Sequence, residues 1–184
     1  MVKKEDVVKL ILTKEQMDLC LHHARQCSLG GKSEVRQKEE RQNYLSDDQI
    51  VGQVCTCGAT IWLLGDAGVE KYNLTRAEQN LHPGVGDGGD DIPPFRIDVK
   101  GSMVRNINKD ILSYNLLVRP LERHKNGIYV LALSIPPKVV LIGWEFNNNL
   151  PEKVESEGIF KGAYRKIAKD LKPMIELKKH LNIG

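Results

Sequence analysis

The sequence predicts an α/β fold, a single domain over residues 1–184 whose mixed central β-sheet is flanked by helices. Three observations carry that expectation. Asp48 to Leu64 is apolar enough to be a helix buried against a sheet, and Ser46-Asp47-Asp48 supplies its N-cap. Phe95-Arg96-Ile97-Asp98-Val99-Lys100 alternates with the period of a strand. Ile128 to Leu133 and Lys138 to Trp144 are near-continuous apolar runs, as in strands covered on both faces, and Ser134-Ile135-Pro136-Pro137 suits an antiparallel link between them.

Composition sets the bounds. A chain of 184 residues with 41% hydrophobic and 28% charged content has the make-up of an ordinary soluble domain. The net charge of +3 is too small to name a partner, so the distribution of charge matters more. No apolar run approaches the ~20 residues that span a bilayer, so no membrane partner is expected. Met1 to Leu10 has acids beside its lysines and no apolar core of a signal peptide, and the expected compartment is the cytoplasm. The four cysteines do not form a disulfide framework. Cys20, His23 and Cys27 share a helix face, which suits a soft-metal site less well than small, partly buried core residues. Cys55 and Cys57 lack the C-x-x-C spacing and read as core.

The elements follow in order. Residues 1–12 form a short strand or helix. Thr13 and Gln16 make a capping box for a helix over Lys14 to Gln26, which Gly30-Gly31 stops. Residues 32–45 are highly charged and read as a solvated segment or a DNA-facing arm. The helix Asp48 to Leu64 ends at Gly65. Residues 66–86 read as a turn-rich link, with a short strand over Val69 to Leu74. Tyr114 to Val118 is a further strand, and Arg119 to Gly127 a polar turn. Glu145 to Gly158 is a polar loop. Phe160 to Leu171 reads as a helix that stops before Pro173, followed by a second short helix.

The stretch that bears chemistry is Gly86 to Ser102. A Gly-rich acidic turn with Asp87, Asp90 and Asp91 leads into the alternating run, which sends Phe95, Ile97 and Val99 to one face and Arg96, Asp98 and Lys100 to the other. Asp98 and Lys100 then project together, about 6.5 Å apart along the strand. Asp91 or Asp90 meets Asp98 from the preceding turn. Two carboxylates and water suit Mg²⁺ (or Mn²⁺), a hard cation, and a lysine beside them suits the orientation of a water and the stabilisation of developing negative charge. The bland alternative is a solvated hairpin with a surface Asp–Lys pair.

Asp91, a short spacer and Asp98-Val99-Lys100 resemble the PD-(D/E)XK nuclease superfamily, the restriction-endonuclease-like fold. The resemblance covers about residues 48–146 and is strongest at 86–102. Asp90 stands where that family has a proline, so Asp90 and Asp91 compete for one ligand position, and Asp91 is preferred because Ile92 follows it. The resemblance implies a metal-dependent DNA endonuclease in which Asp91 and Asp98 bind metal and Lys100 assists the attacking water. It also places a glutamate on the preceding helix, where this chain has Gln53. Gln53 is then either a neutral ligand and water-orienting group or a core-edge amide. Gln49, one turn away, is the substitute, with Glu39 and Glu40 ranked lower. The departure leaves a second reading, a catalytically degenerate DNA-binding or assembly module. Many enzymes with this core act as homodimers.

Several residues suit DNA phosphates. Ser102 and Arg105 lie just past the motif lysine. Residues 161–179 carry seven basic side chains against Asp170 and Glu176, and Arg165, Lys169 and Lys172 share one face of the expected helix, the alternative being a solvated surface. His82 is more consistent with a surface histidine than with a phosphate contact.

Overall fold

The computed structural model describes residues 1–29, 47–81, 90–104, 109–123, 127–151 and 162–183. The predicted α/β class holds. The central sheet has four strands in the order β1 (Val8–Ile11), β5 (Lys138–Phe146), β4 (Ile128–Ile135) and β2 (Ile97–Met103). It is mixed: β1 and β4 both run antiparallel to β5, whereas β2 runs parallel to β4. β3 (Asn115–Val118) and β6 (Tyr164–Ile167) form a separate antiparallel pair.

The apolar run of β4 is explained by burial on two sides. Val130 and Ala132 join one core with Ile97, Val99, Val139 and Leu141 and with helical residues such as Val51, Val54 and Leu63. Tyr129, Leu131 and Leu133 point the other way and join Leu116, Val118, Ile142 and Leu171 in a second core. A strand alternates its side chains, so a run apolar at every position needs cover above and below. Helices α1 (Lys14–Leu29), α2 (Asp47–Leu64) and α3 (Ala67–Leu81) lie on the first side, and the β3–β6 pair on the second. Each fully buried large side chain contributes about 1.5–3 kcal/mol.

The capping box is present: the Thr13 N–H donates to Gln16 Oε1 at 2.9 Å and the Gln16 N–H to Thr13 Oγ1 at 3.3 Å. Gly65, at φ +63°, ends α2 in the left-handed conformation. At Gly101 a Cβ would meet Cys55 Sγ at 3.1 Å and the Val51 carbonyl oxygen at 3.3 Å, so its bareness lets β2 approach α2 closely.

Three expectations are corrected. Residues 67–81 are a helix and not a link with a strand over Val69 to Leu74. Glu70, Lys71, Leu74, Arg76, Ala77, Glu78 and Gln79 are good helix formers, and apart from Gly68 in the first turn the Pro and Gly punctuation comes after Leu81. The helix predicted over Phe160 to Leu171 is replaced, among the described residues, by β6, a 3₁₀ turn over Ala168–Asp170 and a bridge from Lys172 to Trp144. Hydrogen bonds to β3 are the tertiary reason. The short helix comes later, as α4 (Met174–His180). Finally, β2 begins at Ile97 and not at Phe95, because residues 93–96 turn and Arg96 has φ +56°. Among the described residues no helix is long and apolar enough to cross a membrane.

Candidate functional site

The site lies on the edge strand β2. The bridge between Ile92 and Ile97 folds the chain before β2 back along its outer edge, with the Asp91 and Ile92 N–H groups donating to the Ile97 carbonyl at 2.8 and 3.2 Å. That fold brings Asp91 to the outward-facing Val99 N–H, which donates to Asp91 Oδ2 at 2.7 Å. Asp91 Oδ1 takes the guanidinium of Arg76, on α3, at 2.5 Å. Gln79, one turn further along α3, accepts from Arg76 at 2.6 Å and donates to the Asp90 carbonyl at 3.2 Å. The end of α3 therefore holds Asp91 by its side chain and Asp90 by its backbone.

Asp98 and Lys100 project from the other face of β2, away from the helices. Lys100 Nζ stands 2.8 Å from Asp98 Oδ2 and 3.2 Å from Glu122 Oε2. Glu122 ends a 3₁₀ turn, Pro120–Glu122, directly after β3. It accepts from the Arg119 N–H at 3.1 Å and pairs with the Arg119 guanidinium. Two linked sets of charges result: Arg76 with Asp91, and Asp98, Lys100, Glu122 and Arg119 in succession. Ser102 continues the Asp98–Lys100 face two residues further along β2.

Electrostatics separates the members. Asp98 is only 8% exposed, and burial, reinforced by the Asp91 charge, pushes its carboxyl up to about 8 against the attraction of Lys100. Burial pulls the Lys100 amine down, but Asp98, Glu122 and Asp91 together outweigh it and raise its pKa. Burial works against the Glu122 charge as well, yet Arg119 and Lys100 hold this carboxyl down at about 2. At neutral pH the proton stays on the amine, Glu122 is ionised, and Asp98 is the group left to titrate.

Gln53 is placed elsewhere. Its Oε1 accepts from Tyr72 Oη at 2.7 Å and its Nε2 donates to Cys27 Sγ at 3.6 Å, so the amide belongs to the layer between α1, α2 and α3. Val51 and Cys55 are the α2 residues that approach β2 at Gly101, and Gln53, two residues from each at ~100° per residue, faces away from them. The same layer holds His23, bonded to Asn73 at 3.0 Å and close to Asn80 at 3.3 Å. Gln49 is half-buried at the start of α2. The four cysteines are all free; Cys20, Cys55 and Cys57 are buried in the core and Cys27 is half-buried.

The basic stripe does not form. Arg165 lies on β6, Lys169 on the following turn, and Lys172 beyond it. Lys172 is 2.9 Å from Glu145 Oε1 and sits over the rings of Trp144 and Phe146 at 4.7 and 4.2 Å. Lys169 is exposed. Arg105, Asp87, His82, Glu39 and Glu40 lie outside the described residues.

Asp91, Asp98 and Lys100 are thus assembled around one strand, and Arg76, Arg119 and Glu122 were not anticipated. The signal for Arg76 was present in helical spacing: Val69, Tyr72, Arg76 and Gln79 recur at three- and four-residue intervals. Arg119 and Glu122 are a short-range pair three apart, but nothing in the sequence aims them at Lys100.

Among the described residues no group of three or more His, Cys, Asp or Glu side chains is placed to hold a metal. The two-carboxylate set nevertheless suits a hard cation. Asp98 is a buried carboxyl raised partly by the charge of Asp91, a repulsion that a divalent ion would relieve. Each Asp91 oxygen accepts one bond, and a carboxylate has about four lone-pair sites. Searches of family models, curated proteins and solved structures yield no match to this chain.

Proposed function

We propose that the chain is a metal-dependent deoxyribonuclease, an endonuclease of the restriction-endonuclease-like kind that hydrolyses phosphodiester bonds in DNA. One observation carries the reading: Asp98 and Lys100 share a face of an edge strand, 2.8 Å apart, while Asp91 folds over the same strand's outer edge onto Val99. Asp91 and Asp98 would hold Mg²⁺ or Mn²⁺, with Asp90 adjacent in the chain. When bound, the ion supplies Lewis-acid polarisation of a phosphoryl oxygen. Lys100, held as an ammonium, orients the attacking water by hydrogen bonding and stabilises charge developing on the phosphate. Ser102, next along the same face, would donate to a flanking phosphate. Arg76 holds Asp91 from α3, and Lys100 is the cation beside Asp98.

A second reading is favoured by two other contacts. Gln53 is bonded to Tyr72 and Cys27, and Arg76 already balances Asp91, so the fold could equally serve as a DNA-binding module without hydrolysis. A cleavage panel separates the two. Full-length protein with Mg²⁺ or Mn²⁺ is incubated with linear, supercoiled, single-stranded, flapped and four-way-junction DNA. Cutting of at least one substrate, abolished in Lys100→Ala with DNA binding retained, is the expected result. Binding without cutting across the panel in both metals overturns the nuclease in favour of the module.

A further inference from the structure

We propose that Glu122 is the positioning residue for Lys100: its carboxylate holds the amine from a second element, beside the contact with Asp98, and so sets where the ammonium points. The inference rests on the reading above only in giving Lys100 a reacting phosphate to serve. Its evidence is separate.

A lysine side chain carries about 2 kcal/mol of rotamer freedom, and one carboxylate contact does not remove it. Two contacts from different elements do. Asp98 reaches Nζ from β2 itself, and Glu122 reaches it from the turn after β3. Glu122 is not a loose arm. Its side chain is fixed by the Arg119 N–H and guanidinium, both of which donate to it. Its main-chain carbonyl accepts from Tyr129 Oη at 3.0 Å. Tyr129 is fully buried on β4 and pairs in register with Asp98. The two carboxylates that grip Lys100 are therefore anchored to one another through neighbouring strands.

The arrangement also fixes what Lys100 can do. The charged groups facing it are Asp98 and Asp91 from β2 and its hairpin, and Glu122 with Arg119 from the turn. An ammonium has three N–H groups. Among the described residues two carboxylates take up two of them, which leaves a third to meet a phosphate oxygen or a water. Gripped in this way, Lys100 serves as a donor and a counter-charge.

The test uses the full chain and ¹⁵N relaxation of the lysine ammonium groups, which reads how firmly each Cε–Nζ axis is held. In the wild type the Lys100 axis is more ordered than that of exposed Lys4. In Glu122→Gln, which preserves shape, Lys100 loses order toward the Lys4 value while the backbone amide spectra of β2 and β4 are retained. Glu122→Asp restores part of the order, and Lys4 is the same in every variant. Unchanged Lys100 order in Glu122→Gln overturns the proposal. Should the Gln variant not fold, the wild type decides: a Lys100 axis as mobile as that of Lys4 overturns the proposal equally. DNA cleavage plays no part in the readout, so a loss of Lys100 order in a protein that never cuts DNA removes the nuclease and leaves Glu122 in its role.

Discussion

Two carboxylates are buried on neighbouring parts of the sheet, Asp98 on β2 and Glu145 on β5, and they are treated in opposite ways. Glu145, 2% exposed, is surrounded by donors: Lys166 at 2.5 Å, Lys172 at 2.9 Å, the Phe146 N–H at 2.9 Å and Asn149 Nδ2 at 3.1 Å. Burial works against its charge, but the two lysines and these hydrogen bonds overcome it and hold the carboxyl down at about 2. Asp98 has one lysine, which it shares with Glu122, and faces the charge of Asp91. One group is matched by donors on several sides, and the other shares its single lysine and faces a like charge. The satisfied charge of Glu145 ties the C-terminal segment to β5. The charge of Asp98 is the less well compensated of the two.

The largest expected effect tests the satisfied side. Glu145→Gln leaves Lys166 and Lys172 facing a neutral group, and because both lysines are partly exposed the loss is set below that of a fully buried pair, at about 2–3 kcal/mol. Urea unfolding near pH 7 measures it. A change under ~0.5 kcal/mol would reduce the cluster to surface decoration and erase the contrast.

The next effect has the opposite sign. Asp98→Asn removes a buried charge whose one lysine is shared with Glu122 and is outweighed by burial and Asp91, so the variant is more stable than wild type by about 1 kcal/mol at pH 8. The same variant loses Mn²⁺ binding by calorimetry if Asp91 and Asp98 form the cation site. A clear destabilisation would mean that the Asp98–Lys100 pair is structural, like that at Glu145.

Dependence on pH sharpens the comparison. Glu145 is about 2 in the folded protein against 4.5 unperturbed, so its contribution is full above pH 4.5 and is lost as pH falls toward 2. Asp98 is about 8 against 3.8. Between these values the folded state keeps a proton that the unfolded chain has released, so stability declines as pH rises from about 4 to about 8 and then levels. The stability gap between wild type and Glu145→Gln should therefore close below pH 4.5. The advantage of Asp98→Asn should open above pH 4. Parallel curves for either variant would remove the electrostatic assignment.

Much of this contrast was legible in sequence on one side only. Local pattern sufficed for β2, where alternation and the motif spacing place Asp98 with Lys100, and for α2, β4 and β5, whose apolar runs are long. It failed where tertiary pairing decides. Tyr164 to Ile167 has the charge and spacing of a helix face, yet β3 takes it as a strand, and the expected stripe of Arg165, Lys169 and Lys172 disperses. Helix α3 was hidden by the Gly and Pro residues that follow it, and with it Arg76. Glu145 gave no signal at all: its lysines lie 21 and 27 residues downstream and reach it only once β6 and the Trp144–Lys172 bridge are in place. Gln53 was placed on the right helix, but which face of α2 meets β2 depends on the bare Gly101.

The smallest effect separates two lysines that the sequence put on one face. Lys172 lies against Glu145, Trp144 and Phe146, and at 31% exposure its pairing is only partly screened. Lys172→Gln should cost about 1 kcal/mol through the lost ion pair and ring contacts. Lys169 is exposed, so Lys169→Gln should stay within about 0.5 kcal/mol of wild type. If the chain binds duplex DNA, the order reverses in a binding assay. An exposed lysine that meets a phosphate releases counterions, so Lys169→Gln should flatten the log–log salt slope by about 0.9. Lys172, engaged with Glu145, should leave that slope unchanged while lowering stability. The change should be the same for unrelated base sequences, because phosphate contacts position without reading bases. Salt slopes measured by fluorescence anisotropy on two duplexes decide it. A slope change in Lys172→Gln and none in Lys169→Gln would mean that DNA pulls Lys172 away from Glu145, and the satisfied cluster would then belong to the binding surface.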